Sequence, residues 1–298
     1  MSGVQVPKIY GATSANRTPV GLLIRFANQW VAGETMADAL GRAGEANDRH
    51  IGAVLNLLGE HYEERSAVLA AVDENIELID TFASRKMDAC ISIKPSQCGM
   101  MIDQDFYWEN VKKILDRVRS LDAFLWMDME GSRFTDRILD VYRRALAQYD
   151  DVGVAVQTNL RRTEKDVESL LEVGGIVRLC KGAYRELPPV GVRDRREVDA
   201  NFRRVLELLF ERGDRFAVAT HDGAMIERTL ELVRAAPQRF EFQMLLGVRD
   251  PLKDELVAKG HRVLEYIPYG PNWLPYFTRR LRERPRNVFT MVRSLVSG

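Results

Sequence analysis

Cysteine, histidine and net charge are all scarce in this chain, and each shortage removes a class of function. Three cysteines in 298 residues, Cys90, Cys98 and Cys180, form no C-x-x-C spacing. Neither a disulfide framework nor a zinc knuckle is indicated, and a reducing, cytoplasmic compartment fits best. Four histidines, at 50, 61, 221 and 261, fall in no H-x-H or H-E-x-x-H pattern, whereas a metallohydrolase needs clustered ligands, so metal is disfavoured. The 43 basic and 43 acidic residues cancel and are interspersed, which leaves no basic stripe for nucleic acid and no acidic tail. Small molecules are the expected partners. Long apolar runs are missing too: no window reaches the roughly 18 apolar residues of a membrane span, and no charged segment followed by an apolar one opens the chain. A peripheral association with a lipid surface is left open.

What is present is material for a large core, 46% hydrophobic residues, enough for one big domain or two ordinary ones. Short apolar or β-branched runs bounded by polar signals lie at Ala53–Leu58, Ala89–Ile93, Ala123–Met127, Val152–Val156, Gly175–Leu179, Arg215–Ala219, Arg239–Leu245 and Arg262–Ile267. Helical patterns separate them, at Ala67–Phe82, Phe106–Leu121, Thr135–Gln148, Glu164–Leu171, Asp199–Arg212 and Ala224–Ala235. A Thr35 cap opens a further helix over Met36–Asp48, after a loop-like start whose apolar segment, Leu22 to Val31, has no assigned role. Strand–helix alternation repeated in this way predicts an α/β fold, a single parallel sheet closed into a (βα)8 barrel. A doubly wound open sheet is the runner-up, but no G-x-G-x-x-G follows the first strand. Residues 1–48 are expected to form an N-terminal arm and helix, and 49–298 the barrel with a C-terminal helix, within one domain overall.

The last barrel helix is predicted over 273–284. Asn272 caps it, Pro275 is tolerated in its first turn, and Pro285 stops it. Tyr276, Arg279, Arg280 and Glu283 share one face, and Leu274, Phe277 and Leu281 another. Two adjacent guanidiniums beside an aromatic suit a small carboxylate, because arginine presents a rigid fork of donors; a solvated charged face is the competing interpretation.

In such a barrel the active site lies at the C-terminal ends of the strands. Here those ends are polar throughout: Gly59-Glu60, Lys94, Asp128-Met-Glu-Gly131, Gln157-Thr-Asn159, Arg178-Leu-Cys-Lys-Gly-Ala-Tyr184, Thr220-His-Asp222, Gln243 and Tyr266, in strand order. A ligand-binding rim explains all eight together. One chemistry that fits is a Schiff-base aldolase or lyase using Lys94 or Lys181. A flavin or similar cofactor also fits, its reducible edge met by Gln157, Arg178, Lys181 and His221. A barrel that only binds a carboxylate is the third possibility.

The ordered set of Ser-Ile-Lys94, Met-Asp128-Met-Glu, Arg178 to Tyr184, Ala219-Thr-His-Asp222, Phe240-Glu-Phe-Gln243 and Tyr276-x-x-Arg-Arg-x-x-Glu283 resembles the proline dehydrogenase family, most of all its monofunctional bacterial members, from about Val31 to Asn287. The resemblance implies oxidation of L-proline to Δ1-pyrroline-5-carboxylate, the first step of proline catabolism to glutamate. Hydride would pass from C5 to N5 of FAD, and the electrons to a membrane quinone. By the same resemblance Arg279, Arg280 and Lys94 would meet the substrate carboxylate, and Tyr184, Leu245, Tyr266 and Tyr276 would surround the pyrrolidine ring. Arg178 would stand near N5, with Met129, Gln157, Lys181, Gly182, Ala183, Thr220, His221, Gln243 and Glu283 lining the FAD. Glu60 would pair with Arg279 over bound substrate, and Asp128 would be the acid at the pocket floor, its detailed role left open. Tyr276, which is smaller in related hydroxyproline enzymes, implies a preference for proline itself. Three departures stand out: Leu274 replaces a frequent aromatic, Arg185 occupies a variable position, and Leu187–Arg196 has no strong motif for the adenosine end of FAD. A final helix over Val288–Val296 reads as a packed cap on the barrel ahead of a membrane-docking element.

Overall fold

Eight short apolar runs pair in parallel, each with the next, and the eighth returns to the first. In the computed structural model, which describes residues 27–184, 186–235 and 238–283, these are β1 (Gly52–Leu57), β2 (Ala89–Ile93), β3 (Leu125–Met127), β4 (Val152–Gln157), β5 (Ile176–Cys180), β6 (Arg215–Ala219), β7 (Arg239–Leu245) and β8 (Val263–Tyr269). The seam closes with Val54 of β1 opposite Tyr266 of β8. Strands of such a barrel are covered on both faces, which is why they read as nearly continuous apolar runs; every residue of β1 and β4 is buried. Side chains pointing inward, Val54, Cys90, Trp126, Ile176, Ala217 and Leu264, pack together and plug the lower barrel. Their neighbours pointing outward, such as Leu55, Ile91 and Val177, join the larger core beneath the helices.

The helices are α1 (Met36–Asp48), α2 (Arg65–Ser84), α3 (Gln104–Ser120), α4 (Thr135–Leu146), α5 (Thr163–Leu171), α6 (Arg195–Arg212), α7 (Gly223–Ala235), α8 (Asp250–Ala258) and α9 (Trp273–Glu283). Thr35 caps α1 as expected, through a reciprocal pair in which its Oγ1 accepts from Asp38 N at 3.2 Å and its own N–H donates to Asp38 Oδ2 at 2.9 Å. α1 buries Ala39, Leu40, Ala43 and Ala46 and packs on β1 and β8, the outer position that a regular barrel gives to its last helix. The last helix, α9, goes elsewhere. Its Tyr276 and Phe277 pack with Ala27, Trp30, Val31, Leu58 and Val248, and Leu58 and Val248 lie just past the C-terminal ends of β1 and β7. α9 therefore lies over the mouth.

The segment 27–32, to which the sequence pattern assigned no role, is what supports this lid. Ala32 N donates to Pro268 O at 2.8 Å, and the Trp30 and Phe277 rings lie 5.8 Å apart. Gly247 makes the approach possible: a Cβ there would lie 1.7 Å from Gln29 O, at φ +65, so no side chain is accommodated.

Most differences from the expected elements are at boundaries. α6 begins at Arg195 rather than Asp199, where Asp194 caps it by accepting from Arg196 N at 2.8 Å. β8 runs past Pro268, whose carbonyl rather than its missing N–H serves the structure. The pattern named no helix between the seventh and eighth strands; α8 lies there, with Pro251 in its first turn after a left-handed Arg249. Leu274 corrects the expectation for α9. It is 53% exposed, because Trp273, 5.7 Å from Phe277 between ring centres, takes the place on the packed face. Arg185 and the expected helix at 288–296 lie outside the described residues. Among the described residues no helix is long and apolar enough to cross a membrane, and no His, Cys, Asp and Glu cluster suited to a metal occurs.

Candidate active site

Alternate residues of a strand face the same way, so Ser92 on β2 and Lys94 just past its end, Trp126 on β3 and Asp128 just past its end, and Arg178 and Cys180 on β5 all project into the barrel. They converge on Asp128. Its Oδ1 accepts from Ser92 Oγ at 2.7 Å and from Arg178 Nη2, and its Oδ2 accepts from Lys94 Nζ at 3.0 Å and Tyr266 OH at 2.8 Å. Burial alone would raise its carboxyl, but Lys94 and Arg178 overcome that and hold it well below the usual carboxylate range. Burial likewise opposes the charge on Lys94, yet Asp128, with a smaller contribution from Glu60, pushes its ammonium well up. Burial and Asp128 together raise Tyr266, which stays a neutral donor.

A second tier joins this hub to the lid. Glu60 Oε2 accepts from Arg279 Nη1 at 3.0 Å, and its Oε1 accepts from Arg279 Nη2 at 2.7 Å and from Tyr184 OH at 3.2 Å. Lys94 Nζ lies 3.7 Å from Glu60 Oε1, so it bridges the tiers. Burial would raise the Glu60 carboxyl, but Lys94 and Arg279 lower it. The Arg279 and Arg280 guanidiniums lie 5.9 and 5.3 Å from the ring centres of Tyr184 and Tyr276, so the charged face of α9 forms the ceiling of the site.

The wall comes from β4 to β7. Gly182, at φ +106, allows the Lys181–Tyr184 loop to press on the end of β4, since a Cβ there would lie 2.2 Å from Asn159 Oδ1. Asn159 Nδ2 donates to Tyr184 O at 2.9 Å, and Lys181 Nζ donates to Asp222 Oδ2 at 2.8 Å and to Asp199. Gln157 Nε2 is fixed by Glu130 O at 2.9 Å, and His221 Nε2 accepts from Leu245 N at 2.8 Å, which sets the height of Leu245.

These elements enclose a cavity of about 610 Å³, room for a ligand of cofactor size. Every residue named above from the sequence as a site candidate lines it except two. Glu60 stands behind Arg279 and Lys94, and Glu283 belongs to α9 with its side chain outside the described residues. Sequence reasoning gave no role to Ser92 and Asp222, although both sit inside motifs it quoted, and it had no signal for Asp199, a counter-ion brought in by a helix.

Fold and cavity together define a (βα)8 barrel enzyme with a lid-covered, cation-rich site. The family model described as proline dehydrogenase matches residues 39–291, and the chain belongs to that family of oxidoreductases. It is 33% identical over 300 residues to a proline dehydrogenase of Deinococcus radiodurans, covering 96% of each chain. It is 31% identical over 280 residues to proline dehydrogenase 2 of Bacillus subtilis, covering 90% of this chain and 92% of that one. Among solved structures it is similar to proline utilization A of Bdellovibrio bacteriovorus, with a TM-score of 0.80 and 22% identity over 87% of this chain. The chain spans 32% of that longer protein's length, and at that identity the likeness concerns the fold.

Proposed function

We propose that this chain oxidises L-proline to Δ1-pyrroline-5-carboxylate with bound FAD, which supplies the acceptor for the hydride leaving C5 and passes its electrons to a quinone. The observation that carries this reading is the stacking of Lys94 and Arg279 on Glu60 above the Asp128 hub, at one end of a cavity larger than an amino acid needs. The residues fit a flavin. Met129, Ala155, Ala183 and Leu245 give an apolar lining, and Gln157, Arg178, Lys181, Thr220, His221 and Gln243 offer polar groups along the wall. Arg178 would place positive charge where negative charge develops.

The chain's own residues do the rest. Arg279, Arg280 and Lys94 take the substrate carboxylate, a bidentate and charge-assisted contact. The same positive charge lowers the pKa of the substrate amine, which must be unprotonated for its lone pair to form the C=N bond. Tyr184, Leu245, Tyr266 and Tyr276 wall the ring and exclude water, and the bulk of Tyr276 selects against an added hydroxyl. Asp128 is no general base, because Lys94 and Arg178 keep its carboxyl far too acidic to take a proton. Its role is to keep Lys94 charged, to anchor Arg178 and to aim the Tyr266 hydroxyl.

A Schiff-base mechanism is disfavoured by the same geometry. Lys94 is held as an ammonium by Asp128 and Glu60, and an ammonium is not a nucleophile; Lys181 lies between Asp199 and Asp222. The quinone acceptor, and the peripheral contact with the inner face of the membrane that it would require, are part of this proposal and rest on the motif resemblance given above. The test is anaerobic addition of L-proline to the purified, FAD-loaded protein. Bleaching of the flavin is expected. A protein that neither binds FAD nor is bleached would end the proposal, and borohydride trapping of a carbonyl on Lys94 or Lys181 would favour the lyase.

A further inference from the structure

Below the rim, the inward-pointing side chains continue in a hydrogen-bonded line that the mechanism above does not use. Arg178 Nη1 donates to Gln243 Oε1 at 3.2 Å, and Gln243 Nε2 donates to Glu241 Oε1 at 2.6 Å. The direction of this line is forced by chemistry. A guanidinium has donors and no acceptor, so the atom of Gln243 facing Arg178 must be its oxygen. The amide NH2 then faces Glu241, which must accept. Arg178 and Gln243 line the cavity, whereas Glu241, one strand period lower on β7, stands behind them. The charged groups around Glu241 are Arg178 on β5, Arg215 at the start of β6 and Arg262 just before β8, with the buried Cys90 thiol on β2 also within its field. Three cations and an amide donor therefore surround one acidic side chain near the barrel axis.

We propose that Glu241 is a positioning residue for the oxidation: by accepting from the Gln243 amide it fixes which way that amide points, and so holds Arg178 toward the reducible end of the bound flavin. This deepens the flavin reading and rests on it. Without an acceptor at 241, the Gln243 NH2 is left buried and unpaired, and turning the amide over would set a donor against the Arg178 guanidinium. Arg178 would then keep Asp128 and Ser92 on one side and lose its anchor on the other. Glu241 does not line the cavity, so the chemical step suffers while proline binding does not.

The test compares Glu241→Met and Glu241→Gln in the FAD-loaded chain, with Gln243→Met for a double-mutant cycle. Glu241→Met should slow anaerobic flavin reduction about tenfold, as expected for one lost buried hydrogen bond, and leave KM for proline within about twofold. It should also shift the flavin absorption band and lower its midpoint potential. Glu241→Gln retains an acceptor and should restore rate, spectrum and potential. In the Gln243→Met background, Glu241→Met should add nothing, because the two residues act in series. Wild-type rate, spectrum and potential in Glu241→Met would overturn the proposal, and so would Glu241→Gln behaving like Glu241→Met, since charge rather than acceptance would then matter. If Glu241→Met fails to fold, the Glu241→Gln arm still decides: an altered potential there overturns the proposal. A wild-type protein that proline does not bleach defeats the flavin reading itself and takes this proposal with it, an outcome distinct from failure in the variants alone.

Discussion

Replacing Arg279 with methionine isolates the proposed carboxylate clamp. Methionine preserves much of the arginine stem, so the packing of Tyr276 and Phe277 beneath α9 is retained, while a guanidinium that donates to Glu60 at 3.0 and 2.7 Å is lost. A charge-assisted hydrogen bond contributes about 1.5–3 kcal/mol, which corresponds to a rise in KM of roughly 10- to 150-fold. Two considerations place the result within that range. Arg279 is already engaged by Glu60, so the substrate carboxylate displaces or shares an existing partner, which favours the lower end. Arg280 and Lys94 remain, which does the same. The stability cost should be small, about 0–1 kcal/mol for a pair of which the arginine is 25% exposed, because Glu60 retains Tyr184 at 3.2 Å and Lys94 at 3.7 Å. The assay is steady-state oxidation of proline with an artificial dye acceptor, with a thermal melt of each variant, run in parallel on Arg280→Met. An unchanged KM in both variants, or a loss confined to kcat, would refute the clamp.

Asp128→Asn should destabilise the fold by about 3–5 kcal/mol, the usual consequence of leaving buried charge uncompensated. Because the Asp128 carboxyl is lowered in the native state, its stabilisation is complete above the unfolded value near 4 and is lost as pH falls through the folded value. Urea melts from pH 7 to about pH 3 should therefore show a shallower acid loss in Asp128→Asn than in wild type, and parallel slopes would show that the hub is not responsible. Lys253→Met, which strands Glu265 beneath α8 after removing a wholly buried ammonium, should lower stability by about 3–5 kcal/mol and leave KM unchanged; denaturant titration with kinetics checks both. Gly182→Ala sets a methyl 2.2 Å from Asn159 Oδ1 at φ +106, so FAD affinity, followed by flavin fluorescence, should fall more than the Tm.

The barrel was legible because its physics is local. A strand buried on both faces is an apolar run, each run here is bounded by polar residues, and the helices between them carry a 3.6-residue period. What failed to show has particular causes. Pro251 and the left-handed Arg249 disguised α8, and Leu274 read as a packed residue because nothing local says that Trp273 reaches Phe277 first. The site divides the same way. Candidates at strand ends could be named from position alone, since the fold delivers those ends to one rim. The pairing among them could not. Ser92 and Tyr266 on one carboxylate, Asp222 on Lys181, and Arg178 on Gln243 are contacts made only when strands far apart in sequence are closed into a ring.

Charge within the two tiers explains why so expensive an arrangement is kept. Lys94, Arg178 and Arg279 share two carboxylates, Asp128 and Glu60, and Arg280 also lines the cavity, so cations outnumber carboxylates among these groups. An incoming carboxylate relieves part of that imbalance. Glu60 already holds both Nη atoms of Arg279, so a substrate carboxylate would share or displace that partner with little fresh desolvation of the arginine. Asp128 performs the complementary task below, where it keeps Lys94 charged and anchors Arg178. The acids of this site thus act as counter-ions rather than bases. On the proposed reading, the proton lost by the substrate amine would leave before or apart from hydride transfer, through solvent at the mouth rather than through either carboxylate.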